Sequence, residues 1–165
     1  MGQTKPFRSG FVAVIGRPNV GKSTLMNAYL GQMVAAISPR PQTTRRRQLG
    51  ILTTTNAQVV FMDTPGMHDP EDRMGVFMNK VAEEAFSDAD VILWLAAANE
   101  APAREDQLIA ERLRSYKKLP PVILALNKSD LLDPDLLPKR AEQYSSLYPD
   151  ANVAIISASS GEGRP

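Results

Sequence analysis

The chain contains no cysteine. No disulfide framework and no thiolate-held metal can be built from it, and the absence fits a reducing compartment. It also lacks a long apolar run. The longest, "VILWLAAA" at residues 91–98, falls far short of the ~20 residues a helix needs to span a bilayer. The N-terminus has no apolar signal core. It opens "MGQTKP", but Pro6 stands where a myristoylation motif needs Ser or Thr. Neither sign of charge dominates. A net charge of +1 creates no global field toward nucleic acid or membrane, so any such partner must meet a local patch. Internal repeats and low-complexity tracts are absent as well. These absences lead to the expectation of a soluble cytoplasmic protein without a transmembrane segment.

What is present is an ordinary globular composition, 43% hydrophobic and 22% charged over 165 residues, enough for one domain with one core. Short apolar runs alternate with helical patterns. "FVAVI" (11–15), "QLGIL" (48–52), "AQVVFMD" (57–63), "DVILWLA" from Asp90, "PVILAL" from Pro121 and "NVAIIS" from Asn152 read as strands. Continuous apolar runs of this length suit parallel strands buried on both faces. Met78, Val81, Ala82 and Ala85 recur at helical spacing, as do Ile109, Leu113 and Tyr116, and Leu137, Ala141, Tyr144 and Tyr148. These stripes read as core packing. Asp133 reads as the cap of the last helix, with Pro134 in its first turn. The alternation predicts an open, mostly parallel α/β sheet with helices on both faces and right-handed crossovers.

Chemistry enters at "GRPNVGKS", residues 16–23. The pattern Gly16-x-x-x-x-Gly21-Lys22-Ser23 is that of a phosphate-binding loop. Its glycines let successive backbone N–H groups face one point, and the helix after it adds its partly positive end. Lys22 can reach terminal phosphates, and the Ser23 hydroxyl can ligate magnesium, a hard cation that prefers oxygen. Arg17, Pro18, Asn19, Val20 and Thr24 complete the loop as candidate nucleotide contacts. "DTPG" follows a strand: Asp63 can hold magnesium through water, and the Gly66 N–H can meet the last phosphate, with Thr64 and Pro65 beside them. "NKSD" ends the next motif-bearing strand. Asp130 can accept from guanine N1–H and the exocyclic amine, which adenine does not offer as a pair. Lys128 can lie over the base and brace the loop, and Asn127 belongs to the same site. In "SAS", between Ser157 and Ser159, the Ala158 N–H can meet guanine O6. Each motif is set at the carboxyl end of a strand, where open α/β sheets bind ligands. Together they point to GTP and GDP.

The ordered set "GRPNVGKST…QTTRRR…DTPG…NKSD…SAS" resembles the Era-type bacterial GTPases, a branch of the translation-factor-related P-loop GTPases. The resemblance covers residues 7–161, and its most specific parts are "GRPNVGKSTLMN" and "ISPRPQTTRRR". It implies a three-layer, Ras-like fold and slow, magnesium-dependent GTP hydrolysis with Lys22, Asn19, Thr44 and Gly66 as catalytic groups. Ser23, Thr44 and Asp63 are the implied metal ligands. Thr44 is the implied first-switch ligand, with Thr43 as the alternative, and residues 64–73 are the second switch. It further implies the small ribosomal subunit and its 16S rRNA as partners, and leaves peripheral inner-membrane association open.

Three departures shape the expectation. Ras-like proteins place a water-orienting glutamine after the glycine of the second switch. Here Met67 stands there, and a thioether cannot orient water. Era-like relatives share a hydrophobic residue at that position, and several use a potassium ion held in part by the asparagine matching Asn19. His68, the single histidine, reads as a switch-loop residue. The segment "LAAANE" differs from relatives that often carry an acidic residue after that strand. Relatives also continue with a closing helix and a ribosomal-RNA-binding KH domain. This chain stops at Pro165, so the expectation is a single, C-terminally truncated G domain over residues 1–165, lacking both. Two rivals remain: a nucleotide-binding partner module with negligible turnover, and an RNA-binding protein using the "TRRR" run at residues 44–47, which otherwise reads as a solvated surface.

Overall fold

The computed structural model describes residues 6–31, 48–67 and 73–163. Five strands run parallel: β1 (Arg8–Ile15), β3 (Ala57–Asp63), β4 (Val91–Ala97), β5 (Val122–Asn127) and β6 (Asn152–Ile155). One, β2 (Gln48–Thr53), is antiparallel to β3 and lies at the sheet edge. Sheet order is β2-β3-β1-β4-β5-β6. The short hairpin between β2 and β3 is closed by the Thr54 hydroxyl, which accepts the Ala57 N–H at 3.1 Å. The parallel pairs need crossovers, and α1 (Lys22–Leu30), α2 (Arg73–Asp88), α3 (Arg104–Ser115) and α4 (Leu137–Ser145) provide them.

Burial follows the strand period of two. Ile15, Ile92, Trp94, Ala96, Leu124 and Leu126 turn to one face and meet Ala82 and Phe86 of α2, Ile109 and Leu113 of α3, and Tyr144 of α4. Val14, Phe61, Leu95 and Ala125 turn to the other face and meet Leu25 and Met26 of α1. The result is the expected three-layer α/β arrangement.

Two helical stripes run past their helices. Tyr116 caps the C-terminus of α3 in extended backbone. Tyr148 lies beyond α4 because it precedes Pro149, and a residue before proline is pushed out of the helical region. Asp133 caps a 3-10 turn, Pro134–Leu136, with its carboxylate accepting the Asp135 N–H at 3.0 Å. α4 follows that turn with Pro138 in its first positions, where the missing N–H costs no ladder bond. Among the described residues β6 is the last regular element.

Candidate functional site

Parallel register brings the ends of β1, β3, β5 and β6 to one edge of the sheet. Residues 16–21 leave β1 there and turn directly into α1. Gly21 holds φ 103°, and a Cβ on it would sit 2.3 Å from Asn127 Nδ2, so only glycine lets the loop close against β5. Asn19 is also left-handed, at φ 65°, a conformation asparagine tolerates better than most residues.

Lys22 curls back over its own loop. Its Nζ donates to the carbonyls of Gly16 and Arg17, each at 3.1 Å. Burial pushes the ammonium down to about 8, while Asp63 nearby opposes that shift. Ser23, one residue on, donates its hydroxyl to Asp63 Oδ2 at 3.4 Å. Asp63 is fully buried. A hydroxyl and a carboxylate converging in this way suit magnesium. No three acidic or histidine side chains gather among the described residues, and Thr44, the other ligand the resemblance implies, lies outside them. Thr24 is half-buried in the first turn of α1.

Residues 64–67, the first part of the expected second switch, close behind the loop. The Thr64 hydroxyl donates to the Val14 carbonyl at 2.6 Å. Pro65 is buried, and Gly66 lies so close that a Cβ would come within 2.9 Å of Pro18 Cα. The Met67 N–H donates to the Gly16 carbonyl at 3.0 Å. Its side chain is 4% exposed and belongs to the core with Ile15 and Trp94, so it serves packing.

Asn127 joins three elements. Its Nδ2 donates to the Val20 carbonyl and its Oδ1 accepts the Ala158 N–H, both at 2.8 Å. That N–H was expected to face guanine O6; here it is committed to Asn127. Lys128, left-handed at φ 63°, extends to the Asn19 carbonyl, 2.8 Å from its Nζ. Asp130 is exposed in the 3-10 turn Ser129–Leu131. The buried Ser157 hydroxyl lies 3.2 Å from that of Ser159 and accepts the Ser160 N–H at 3.1 Å. Thr43, Thr44, the "TRRR" run and His68 lie outside the described residues.

The Arg17 side chain turns away from the loop toward α3. It pairs with Glu100, and its Nε lies 3.3 Å from Asp106 Oδ2. Sequence reasoning assigned Arg17 to the nucleotide, Tyr144 to an apolar stripe, and Glu100 and Asp106 to nothing. A signal was available: an acid at the third position of α3 is half of a capping box, and the Asp106 carboxylate does accept the Ala103 N–H at 2.9 Å.

Residues 11–128 match the family described as 50S ribosome-binding GTPase. The chain is 44% identical over 154 residues, 93% of its length, to GTPase Era of Staphylococcus haemolyticus, of which it covers 51%. It superposes on a crystal structure of Era in complex with MgGDPNP and nucleotides 1506–1542 of 16S ribosomal RNA with TM-score 0.86 and 38% identity, covering 94% of this chain and 53% of that one. A crystal structure of NFeoB from S. thermophilus bound to GDP·AlF4− and K+ aligns with TM-score 0.70 and 26% identity, over 93% of this chain and 57% of that one. The chain therefore spans about half the length of these relatives.

Proposed function

The chain belongs to the 50S ribosome-binding GTPase family, and from that premise we propose that it is a magnesium-dependent guanine-nucleotide switch that hydrolyses GTP slowly to GDP and phosphate. The observation that carries this reading is the Asn127 clamp, one buried side chain tying the phosphate loop to the base-side loop through Val20 and Ala158. Residues 16–24 cradle the phosphates, and Asp130 selects the base. Ser23, Asp63 and, from the expected first switch, Thr44 would hold magnesium, which would supply positive charge to neutralise the phosphates. Lys22 adds a point charge, and the Gly66 N–H meets the γ-phosphate. Catalysis of this kind is positioning and charge neutralisation, with little covalent participation by the protein.

A site built around a donor–acceptor pair can reject the wrong base by ~10⁴ or more. Comparing GTP, ATP and xanthosine triphosphate binding tests the assignment. The parent should select guanine, and Asp130→Asn should move the preference to xanthine. A variant that keeps the parental preference overturns it.

The burial of Met67 favours slow turnover, because nothing at that position reaches solvent to orient water. The NFeoB structure bound to K+ supports a monovalent cation beside Asn19. Phosphate release should rise in potassium over sodium, and Asn19→Ala should erase the rise while leaving GDP binding largely intact. Equal rates for the parent would transfer the lead to the partner module with negligible turnover. The Era structure holding 16S rRNA supports the small ribosomal subunit and its rRNA as the partner.

A further inference from the structure

Behind the phosphate loop lies a charged network that the nucleotide motifs do not include. The Arg17 guanidinium bridges from the loop to Glu100, in the connection after β4, and to Asp106 in α3. Asp106 is fully buried, as is Tyr144. The single oxygen Asp106 Oδ2 receives the Ala103 N–H at 2.9 Å and faces the Tyr144 hydroxyl at 3.4 Å. That hydroxyl also lies 3.3 Å from the Ala97 carbonyl and 3.4 Å from the Glu100 carbonyl. The network therefore joins the phosphate loop, the end of β4, the start of α3 and the C-terminal turn of α4.

Stability alone is a weak explanation for it. A buried ion pair gains little over well-packed apolar groups of similar volume, although breaking one by removing a partner is costly. What a charged pair adds is a fixed direction. The backbone that Arg17 anchors carries the carbonyls of Gly16 and Arg17, the two acceptors for the Lys22 ammonium at 3.1 Å each. Moving Arg17 moves the groups that orient the phosphate-binding lysine.

We propose that Arg17, held by Asp106 and Glu100, is a positioning residue for the phosphate loop, and that the Tyr144 hydroxyl fixes Asp106 in that role. The inference rests on the guanine-nucleotide reading above and deepens it. It gives Glu100, at the end of "LAAANE", a partner and a purpose.

The test separates positioning from stability. GDP affinity is measured by calorimetry well below the melting temperature of each variant, and melting is followed by circular dichroism without nucleotide. Arg17→Met and Asp106→Leu should each melt lower and bind GDP about tenfold to a hundredfold more weakly, the scale of loss expected when a buried hydrogen-bonded group is left without its partner. Combined in one chain, the two apolar side chains should restore most of the melting temperature, while GDP affinity stays low. Recovery of affinity together with stability overturns the positioning role. Tyr144→Phe keeps the ring in the core and removes only the hydroxyl. It should fold and bind GDP more weakly, and parental affinity removes Tyr144 from the network. Guanine preference over adenine should survive in every variant, because Asp130 is untouched. A parent chain that binds no guanine nucleotide overturns the reading of the whole site. A parent that binds GDP alongside folded Arg17→Met and Asp106→Leu variants that bind it equally well overturns the positioning role alone.

Discussion

Lys22 and Ser23 are neighbours, yet their side chains turn to different partners. The lysine faces its own loop, with Nζ on the Gly16 and Arg17 carbonyls. The serine faces Asp63 across 40 residues of chain. Under the proposed function the first would carry phosphate charge and the second would bind metal, and two substitutions should separate them. Lys22→Ala should lose affinity for both GDP and GTP, with or without magnesium. Ser23→Ala should lose only the tightening that magnesium brings, and chelating magnesium in the parent should reproduce that loss. Titrations with fluorescent nucleotide, with and without chelator, check both. Unchanged affinity in both variants would mean that the loop is not the phosphate site. At this scale the sequence was informative where chemistry and spacing agree, as in residues 16–23. It was silent on Asn127 as a clamp, because nothing in "NKSD" indicates that the asparagine turns inward to Val20 and Ala158.

The strands were legible because parallel strands covered on both faces must be continuously apolar, and "FVAVI", "VILWLA" and "VILAL" are. Their neighbours in space were not legible, since β1 pairs with β3 and β4 rather than with the strand that follows it in sequence. Helix ends were harder to place, because apolar spacing continues past Ser115 and Ser145, where the helical backbone of α3 and α4 ends. Tyr144 shows the limit most clearly. Its spacing marks a core residue, and it is one, but its hydroxyl is engaged with Asp106 and two carbonyls. The loop between β1 and α1 allows a prediction as an element. Gly21→Ala would place a methyl group 2.3 Å from Asn127 Nδ2, on backbone at φ 103°. Either the loop leaves its conformation or the Asn127–Val20 bond breaks. Each route lowers GDP affinity by about tenfold or more, since a lost buried hydrogen bond alone costs ~1–3 kcal/mol. Calorimetry at one temperature suffices to check this, and parental affinity in Gly21→Ala would contradict it.

Across the whole molecule the two faces of the sheet are covered unequally. α2, α3 and α4 cover one face. On the other, α1 packs over the β2–β3 side. Toward β4, β5 and β6 on that same face, Leu93 and Ile123 share a register row and are only partly buried. Ala154 lies in the next row, beside Ala125, and is partly buried too. No helix among the described residues lies over them. Covering a few hundred Å² of apolar surface is worth ~25 cal/mol per Å², hence several kcal/mol, against a total domain stability of ~5–15 kcal/mol. A polypeptide of these 165 residues studied alone should therefore be marginally stable or self-associate through this patch. Bound nucleotide should offset much of the deficit, because the ligand couples β1, β3, β5 and β6 at their shared edge. At a thousandfold excess over its dissociation constant, GDP contributes ~4 kcal/mol, which for a domain of this size raises the melting temperature by roughly 10 °C. Thermal melts with and without GDP, paired with light scattering, measure both halves of the argument. A nucleotide-free monomer with a high melting temperature would show that the exposed half of this face costs the fold little.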